Sequence, residues 1–457
     1  MNLDLRNRKI SIIGAGRSGI SVAEIVKSHG GLPFISDSAT IKDTGLAARL
    51  QSLNINAEFG GHTDKAFDCD LMIVSPAVSS DAEVIVEAKS KGIKVWPEIE
   101  LAYRLCRGKI IGITGSNGKT TTTALIGEIL KNAGLPTFMC GNIGFPFIDI
   151  AEKVPEEGYA VVELSSFQLE QIDAFYPDIA VFLNLTPDHL DRHKSLDIYI
   201  SAKMRIFENQ AAGDLAVVNF DDEVVRESCA RLVARTHWFS IRRSFEDSVW
   251  AVPDGAIYAM GEQIIKSIEL KLKGEHNLSN ACAAVAAAIG AGVPKSKIAE
   301  TLKSFSGVGH RLEPVRLIGG VSFINDSKGT NVDSVFWALK AVSAPVILIA
   351  GGKDKAGDFS GLNDLISKKV KAIVLIGQAA NKMEMIWGKI VTCLKASSMD
   401  EAVRMAYSNA VSGDTVLLSP ACASFDMFDN YEHRGRVFKK IVLELELKGA
   451  TLERRPE

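Results

Sequence analysis

A glycine-rich turn that leads into Gly-Lys-Thr limits the folds open to this chain. The turn lies in "GITGSNGKTTTT" (residues 112–123), between an apolar run typical of a buried strand and a helical pattern that ends near Gly134. Gly115 and Gly118 can adopt positive φ, so that backbone N–H groups converge on phosphate oxygens at a helix N-terminus. The usual phosphate-loop pattern has glycine where Ile113 stands. The strand-to-helix junction still favours a nucleotide site over a turn with a solvated lysine.

If this loop binds a nucleotide, the residues beside it have predictable roles. Lys119 would reach the β- and γ-phosphates, and the Thr120 hydroxyl would ligate Mg²⁺. Glu163 ends the apolar strand in "GYAVVELSSFQLE", where a carboxylate would face that ion rather than bulk water. The nucleotide loop is predicted to comprise Gly115, Ser116, Asn117, Gly118, Lys119, Thr120 and Thr121.

A second glycine pattern stands near the N-terminus. "GAGRSG" supplies Gly14, Gly16 and Gly19 between a strand and a helix, and Asp37 ends the next strand about 20 residues later, as in a dinucleotide-binding fold. Taken alone, this fingerprint indicates an NAD-dependent oxidoreductase, whereas the phosphate loop and Glu163 argue against one. An ATPase that drives a conformational change without ligation is a further alternative.

The chain of 457 residues is too long for one core and predicts three consecutive α/β domains. We place them at residues 1–98 (Rossmann-like), 99–307 (P-loop ATPase-like) and 308–457 (Rossmann-like), with charged and irregular sequence up to about residue 270. The net charge of −3 does not favour nucleic-acid or membrane-surface binding, and no segment predicts a membrane span. Seven scattered cysteines favour a reducing cytoplasm over disulfides or a zinc site.

Three polar clusters remain. "DHLDRH" places His189 and His193 four residues apart without the glutamate of a zinc protease, and for His193 we expect a surface side chain. "HNLSN" supplies Asn277 and Asn280, either of which could cap a helix or contact a nucleotide. "NDSKGTN" forms a polar turn after the strand "VSFI".

Together these motifs resemble the Mur ligases, the ATP-dependent amide-forming enzymes of peptidoglycan precursor synthesis. "TGSNGKTT", "ELSSFQLE", "NLTPDHLDRH", "SAKMRIF", "GEHNLSNACAA", "GHRLEPV", "NDSKGTN" and "LLSPACASFDMFDNYEHRG" follow one another in family order over nearly the whole chain. The family's phosphate loop, T-G-x-x-G-K-[ST], does not require the first glycine of the usual pattern.

The resemblance implies a reaction. A monomeric cytoplasmic enzyme would use ATP and two Mg²⁺ ions to add D-glutamate to UDP-N-acetylmuramoyl-L-alanine through an acyl phosphate. The N-terminal "GAGRSG", the "SPA" loop and the "SPACASFD" segment favour this reaction over those of sister ligases that add L-alanine or extend folates with glutamate.

The resemblance also implies roles for residues. The UDP substrate would contact Gly16, Arg17, Ser18, Gly19, Asp37, Ser38, Ser75, Pro76 and Asn142, the last also near the nucleotide. Besides the phosphate loop, ATP would contact Asn277, Asn280, Arg311 and Asp326. D-Glutamate would contact Lys328, Thr330, Lys355, Ser424 and Tyr431. The catalytic set would be Lys119, Glu163, His189 and Lys203, and the metal ligands Thr120, Glu163, His189 and Lys203.

Lys203 in "SAKMRIF" would act as a carbamate, because Mg²⁺ prefers oxygen ligands and repels a free ammonium. The alternative is a surface lysine paired with a carboxylate. The chain departs from the family pattern at Ala77, at Tyr431 and in "GGKDKAGDF". These departures bear on the amino-acid pocket, including the contact from Lys355, and leave the reaction class unchanged.

Overall fold

The computed structural model describes residues 3–40, 44–142, 144–252, 255–272, 274–354 and 357–446. The chain forms two compact units. The first comprises Met1–Leu185, Ser195–Lys271 and Asn277–Phe305, and the second comprises Thr186–Lys194, Leu272–His276 and Ser306–Glu457. No helix in the described ranges is long and apolar enough to cross a membrane.

The first sheet is five-stranded and parallel, in the order β3-β2-β1-β4-β5. The apolar strands at its centre are buried, as expected of a doubly wound sheet. The strands are β1 (Lys9–Ile13), β2 (Leu32–Asp37), β3 (Asn56–Phe59), β4 (Leu71–Val74) and β5 (Val95–Pro97). The helices are α1 (Arg17–Ser28), α2 (Thr44–Ser52), α3 (Glu83–Ser90) and α4 (Glu98–Leu105), with a 3₁₀ turn at Asp64–Phe67.

The second sheet, in the same unit, is nine-stranded, in the order β14-β13-β12-β11-β10-β9-β6-β8-β7. Its strands are β6 (Lys109–Thr114), β7 (Thr137–Gly141), β8 (Tyr159–Glu163), β9 (Ile179–Phe182), β10 (Leu215–Asn219), β11 (Arg235–Ser240), β12 (Val249–Ala251), β13 (Ala256–Ala259) and β14 (Glu262–Lys266). The strands from β7 to β12 along this order are parallel, and β13 and β14 are antiparallel. The expectation of irregular sequence up to residue 270 is therefore wrong, because five short strands extend the sheet there.

The helices of the middle of the chain are α5 (Lys119–Asn132), α6 (Ser166–Leu169), α7 (Leu190–His193), α8 (Leu196–Met204), α9 (Glu223–Ser228), α10 (Glu275–Gly290) and α11 (Lys295–Ser304). Short 3₁₀ turns lie at Phe147–Asp149, Ala151–Lys153, Arg205–Phe207 and Ser267–Glu269. α10 is buried along most of its length, since its run of alanines lets it pack closely in the core with the strands and α5. α5 ends just before Gly134, whose φ of 82° fits a helix C-terminus.

The second unit contains a six-stranded sheet in the order β15-β16-β20-β17-β18-β19, parallel except for β15. Its strands are β15 (Glu313–Ile318), β16 (Val321–Asn325), β17 (Val346–Gly351), β18 (Val370–Ile376), β19 (Thr392–Lys395) and β20 (Thr415–Leu418). Its helices are α12 (Val332–Ala341), α13 (Asn363–Lys369), α14 (Ala380–Trp387), α15 (Met399–Asn409) and α16 (Tyr431–Glu444), with a 3₁₀ turn at Phe359–Leu362. The prediction of three consecutive α/β sheets is confirmed. The domain boundaries stay a prediction.

Candidate active site

The N-terminal glycine loop is held by the carboxylate that ends β2. Asp37 accepts hydrogen bonds from the backbone N–H of Ala15 (2.6 Å) and of Ala39 (2.8 Å). A Cβ at Gly19 would lie 2.0 Å from the carbonyl oxygen of Gly14, so only glycine lets α1 approach the loop this closely. Ser75, after β4, donates to the same carbonyl at 3.2 Å. The predicted UDP-binding residues Gly16 to Gly19, Asp37 and Ser75 therefore lie together at the carboxyl edge of the first sheet.

The other predicted residues lie in or beside this loop. Gly16 and Ser38 are exposed, and Pro76 directly follows Ser75. The side chain of Arg17 takes a different direction, since it donates to the carbonyl of Gly144 at 2.7 Å and lies over the Phe145 ring, 4.9 Å from its centroid. Arg17 thus links α1 to the segment that follows β7.

The phosphate loop joins β6 to α5. Gly115 and Gly118 have φ of 148° and 83°, and a Cβ at Gly118 would lie 2.3 Å from the side-chain oxygen of Asn280. Lys119 begins α5 and donates to the carbonyls of Gly115 (2.7 Å) and Ser116 (2.8 Å). The loop therefore has the backbone conformation that the sequence predicts for a phosphate site, with its lysine folded over it.

Asn184, just beyond the end of β9, is a residue that the sequence reasoning missed. Its side chain accepts from the Asn117 N–H (2.8 Å) and donates to the Asn117 carbonyl (3.1 Å). Its own carbonyl accepts from the Ser116 N–H at 3.0 Å. Asn184 thus fixes the loop from the neighbouring strand, and its place in "NLTPDH" was the available signal.

The predicted metal carboxylate lies beside the loop. Thr120 donates its hydroxyl to Glu163 at 2.7 Å, and Asn142 donates its side-chain amide to the other carboxylate oxygen at 3.0 Å. Glu163 is only 1% exposed, which excludes the solvated alternative. Asn142, predicted to contact the UDP substrate, thus contacts Glu163. A hydroxyl and a carboxylate at a phosphate loop are hard oxygen donors that suit Mg²⁺.

Lys203 is buried, so the surface-lysine alternative is wrong. It lies on α8, is 1% exposed, and donates its Nζ to the carbonyl of Gly115 at 2.8 Å. Tyr199, one turn earlier, lies within 3.1 Å of the Ser116 hydroxyl. Within the described ranges, no three His, Cys, Asp or Glu side chains form a group that could hold a metal. The metal assignment in the first unit therefore rests on Thr120 and Glu163.

The two asparagines of "HNLSN" lie inside α10 and are not caps. Both are buried, and Asn280 points its amide towards Asn277 at 3.5 Å. A Cβ at Gly118 would lie 2.3 Å from the Asn280 side-chain oxygen, so Asn280 lies beside the phosphate loop.

His189 and His193 belong to the second unit. His189 has a φ of 56°, and its Nε2 lies 3.6 Å from a carboxylate oxygen of Asp188. His193 is 2% exposed, so the expectation of a surface histidine is wrong. The backbone turns through His189 into α7, which buries the second histidine.

The predicted nucleotide residues of the second unit form one cluster. Asp326 is fully buried and accepts from the Ser419 hydroxyl (2.8 Å) and the Leu312 N–H (3.2 Å). Arg311 lies 3.7 Å from the same carboxylate. Burial raises the pKa of Asp326 despite these partners.

The described residues predicted to bind D-glutamate lie in the loops after β16 and β20 and at the start of α16. Lys328 donates to the Tyr431 hydroxyl at 3.1 Å, and Ser424 is buried. A cavity of about 450 Å³ is lined by His189, Thr330 and Asp354, among others. Lys355 lies outside the described residues.

Models of three domain families match successive parts of the sequence. They are a MurD N-terminal domain (residues 9–84), a Mur ligase middle domain (residues 113–288) and a Mur ligase glutamate ligase domain (residues 310–422). The chain therefore belongs to the Mur ligase family, as the motifs predict.

Full-length relatives define the place within the family. UDP-N-acetylmuramoylalanine--D-glutamate ligase of Alkaliphilus oremlandii (strain OhILAs) is 43% identical over 455 residues, which is 97% of this chain and 100% of the relative. The ligase of the same name from Alkaliphilus metalliredigens (strain QYMF) is 42% identical over 454 residues, with 97% and 99% covered. The crystal structure of UDP-N-acetylmuramate-alanine ligase from Thermotoga maritima shares the fold, with a TM-score of 0.62 and 21% identity over 96% of this chain and 99% of that chain.

Proposed function

We propose that this chain adds D-glutamate to UDP-N-acetylmuramoyl-L-alanine at the expense of ATP. The observation that carries the proposal is the contact of Thr120 and Asn142 with the buried Glu163 at a phosphate loop. The full-length relatives support D-glutamate as the amino acid, because both carry the name of that ligase. Membership of the Mur ligase family argues against both alternatives, the NAD-dependent oxidoreductase and the ATPase that does not form an amide bond.

The reaction has two chemical steps. The carboxylate of the UDP substrate attacks the γ-phosphorus of ATP, which gives an acyl phosphate and ADP. The amine of D-glutamate then attacks the acyl carbon, and inorganic phosphate leaves. Positioning and charge stabilisation supply most of the catalysis in phosphoryl transfer.

The chain's own residues supply that positioning. The N-terminus of α5 offers backbone N–H groups to the phosphates. The ammonium group of Lys119 donates to loop carbonyls in this structure and would donate to the phosphates when ATP binds. Thr120 and Glu163 would hold one Mg²⁺, and Glu163, His189 and a carbamylated Lys203 would hold a second. When bound, these ions neutralise the charge that develops on the phosphate oxygens.

The two substrates and ATP are assigned to separate loops. Gly16 to Gly19, Asp37, Ser38, Ser75 and Pro76 would receive the UDP part, with Arg17 and Asn142 at its edge. Asn277, Arg311 and Asp326 would surround adenine and ribose, and Asn280 would also contact ATP. Lys328, Thr330, Lys355, Ser424 and Tyr431 would receive D-glutamate. We place the enzyme in the cytoplasm as a monomer of domains 1–98, 99–307 and 308–457, acting in peptidoglycan precursor synthesis.

An acceptor panel tests the proposal. ADP release is measured with UDP-N-acetylmuramoyl-L-alanine and, in turn, D-glutamate, L-glutamate, D-alanine and L-alanine. We expect D-glutamate to be preferred, since a pocket that binds two carboxylates leaves its own polar groups unpaired with alanine. Equal use of either alanine would refute the specificity, and ADP release that needs no amino acid would refute ligation itself.

A further inference from the structure

Among the described residues of the second unit, Arg434 is the largest charged side chain that is buried. It lies in the first turn of α16 and is 1% exposed. Burial lowers the pKa of its guanidinium to about 10, so the group is still charged at neutral pH. A buried charge of this kind needs hydrogen-bond partners on several sides.

Its first partner is the loop after β16. The Nε donates to the Ser327 hydroxyl at 3.0 Å, and Nη2 donates to the Ser327 carbonyl at 2.7 Å. Ser327 stands between Asp326, assigned to ATP, and Lys328, assigned to D-glutamate. The Ser327 hydroxyl in turn donates to the Tyr431 carbonyl at 2.8 Å, which ties this loop to the start of α16.

Its second partner is the loop after β20. Nη1 donates to the carbonyls of Cys422 (3.2 Å) and Ala423 (3.4 Å), which directly precede Ser424. One planar guanidinium therefore joins the Ser327 loop to the Ser424 loop with a fixed separation.

The loop after β17 approaches the same group. A Cβ at Gly352 would lie 3.3 Å from Nη1 and 2.3 Å from the Ala423 carbonyl oxygen. Lys353 and Ala423 exchange two backbone hydrogen bonds of 2.9 and 3.1 Å. Because β16, β20 and β17 are neighbours in a parallel sheet, their following loops meet at one edge, with Arg434 among them.

We propose that Arg434 is a positioning residue for the acceptor amino acid, holding Lys328 and Ser424 at the spacing that its two carboxylates require. The inference rests on the proposed function, since it takes D-glutamate as the acceptor. Arg434 is itself enclosed by backbone, so it acts through the loops and not by touching the substrate.

The test substitutes Arg434→Lys. A lysine retains the charge but cannot make the forked contacts to both loops at once. We expect the KM for D-glutamate to rise at least about tenfold and the KM for UDP-N-acetylmuramoyl-L-alanine to change less than about twofold. If Arg434 only stabilised the unit, Arg434→Lys would lower the melting temperature without this selective change in KM.

Arg316→Lys is the matched control. Arg316 also donates from one guanidinium to several carbonyls, those of Val442, Leu443 and Leu445, but these lie at the end of α16. We expect this variant to lose stability while both KM values stay near those of the wild type. Ser327→Ala, which removes one Arg434 contact, is expected to raise the D-glutamate KM in the same direction by a smaller factor.

The outcomes separate the two proposals. If the wild type does not use D-glutamate, the proposed function fails. If it does, and Arg434→Lys changes both KM values equally or neither, the positioning role fails. Should Arg434→Lys not fold, Ser327→Ala decides: a selective rise in the D-glutamate KM supports the role, and an unchanged KM refutes it.

Discussion

Glu98 is a buried acid whose ionisation should lower the stability of the first unit. It begins α4, is 2% exposed, and accepts a hydrogen bond from the Ile148 N–H at 2.8 Å. Burial, with a smaller contribution from Asp149, raises its pKa from 4.5 to about 7 although two backbone N–H groups favour the carboxylate. We predict that Glu98→Gln makes the protein more stable than the wild type at alkaline pH.

The sign and size follow from linkage. The folded state holds a proton on Glu98 between pH 4.5 and about 7, where the unfolded chain has already lost it. The stability tied to this proton is fully present below the unfolded pKa and is lost as pH rises through the folded pKa. At 1.36 kcal/mol per pKa unit, the loss amounts to roughly 2 to 3 kcal/mol between about pH 5 and about pH 8.

Urea unfolding across this pH range measures the effect. The stability of Glu98→Gln minus that of the wild type should grow by roughly 2 to 3 kcal/mol from the acid to the alkaline end. Glutamine keeps the acceptor for Ile148 and removes the charge. A difference that stays constant with pH would refute the reasoning.

Glu100→Gln is the matched control on the same helix. Glu100 is buried too, but its carboxylate accepts from the N–H groups of Asp173, Ala174 and Phe175 (2.9–3.1 Å) and from Arg104 (2.8 Å). Glutamine removes the negative charge that faces Arg104 and replaces one of the two acceptor oxygens with an NH₂ group, which cannot accept a hydrogen bond. Glu100→Gln should therefore be less stable than the wild type at both ends of the range.

Substitutions at Gly118 and Lys203 test the phosphate loop and the carbamate. Gly118→Ala, with φ at 83° and a Cβ that would lie 2.3 Å from the Asn280 side chain, should weaken ATP binding at least about tenfold by calorimetry; unchanged binding would contradict the loop assignment. Lys203→Ala should lose most ligase activity and regain part of it with acetate, which can supply the missing oxygens, whereas a fully active Lys203→Arg would contradict the carbamate.

The strands and helices around the site could be predicted from local sequence. The apolar runs before the phosphate loop and before Glu163 are strands as predicted, and the helix that begins at Lys119 ends where Gly134 indicates. These features depend on short-range periodicity and on glycine at positive φ, both of which are visible in one sequence.

Contacts between distant segments could not be predicted in the same way. The burial of Lys203 depends on the packing of α8 near the phosphate loop, 88 residues earlier in the chain. Asn184 and Arg434 hold loops through backbone groups. Apart from the place of Asn184 in "NLTPDH", nothing in their immediate neighbours marks that role. The strands β11 to β14 are short or partly polar, so their sheet pairing, more than their own pattern, defines them.

The sheet register explains why Glu163 contacts both Thr120 and Asn142. β8 lies between β6 and β7, and Glu163 is paired with Ile113 on one side and with Gly141 on the other. The loop to Thr120 follows Ile113, and Asn142 follows Gly141, so the parallel arrangement delivers both side chains to one carboxylate. A slip of one residue in β8 would turn Glu163 to the opposite face of the sheet. A Cβ at Gly141 would lie 2.3 Å from the Glu163 carbonyl oxygen, so glycine at this position helps to hold the register on which the metal assignment depends.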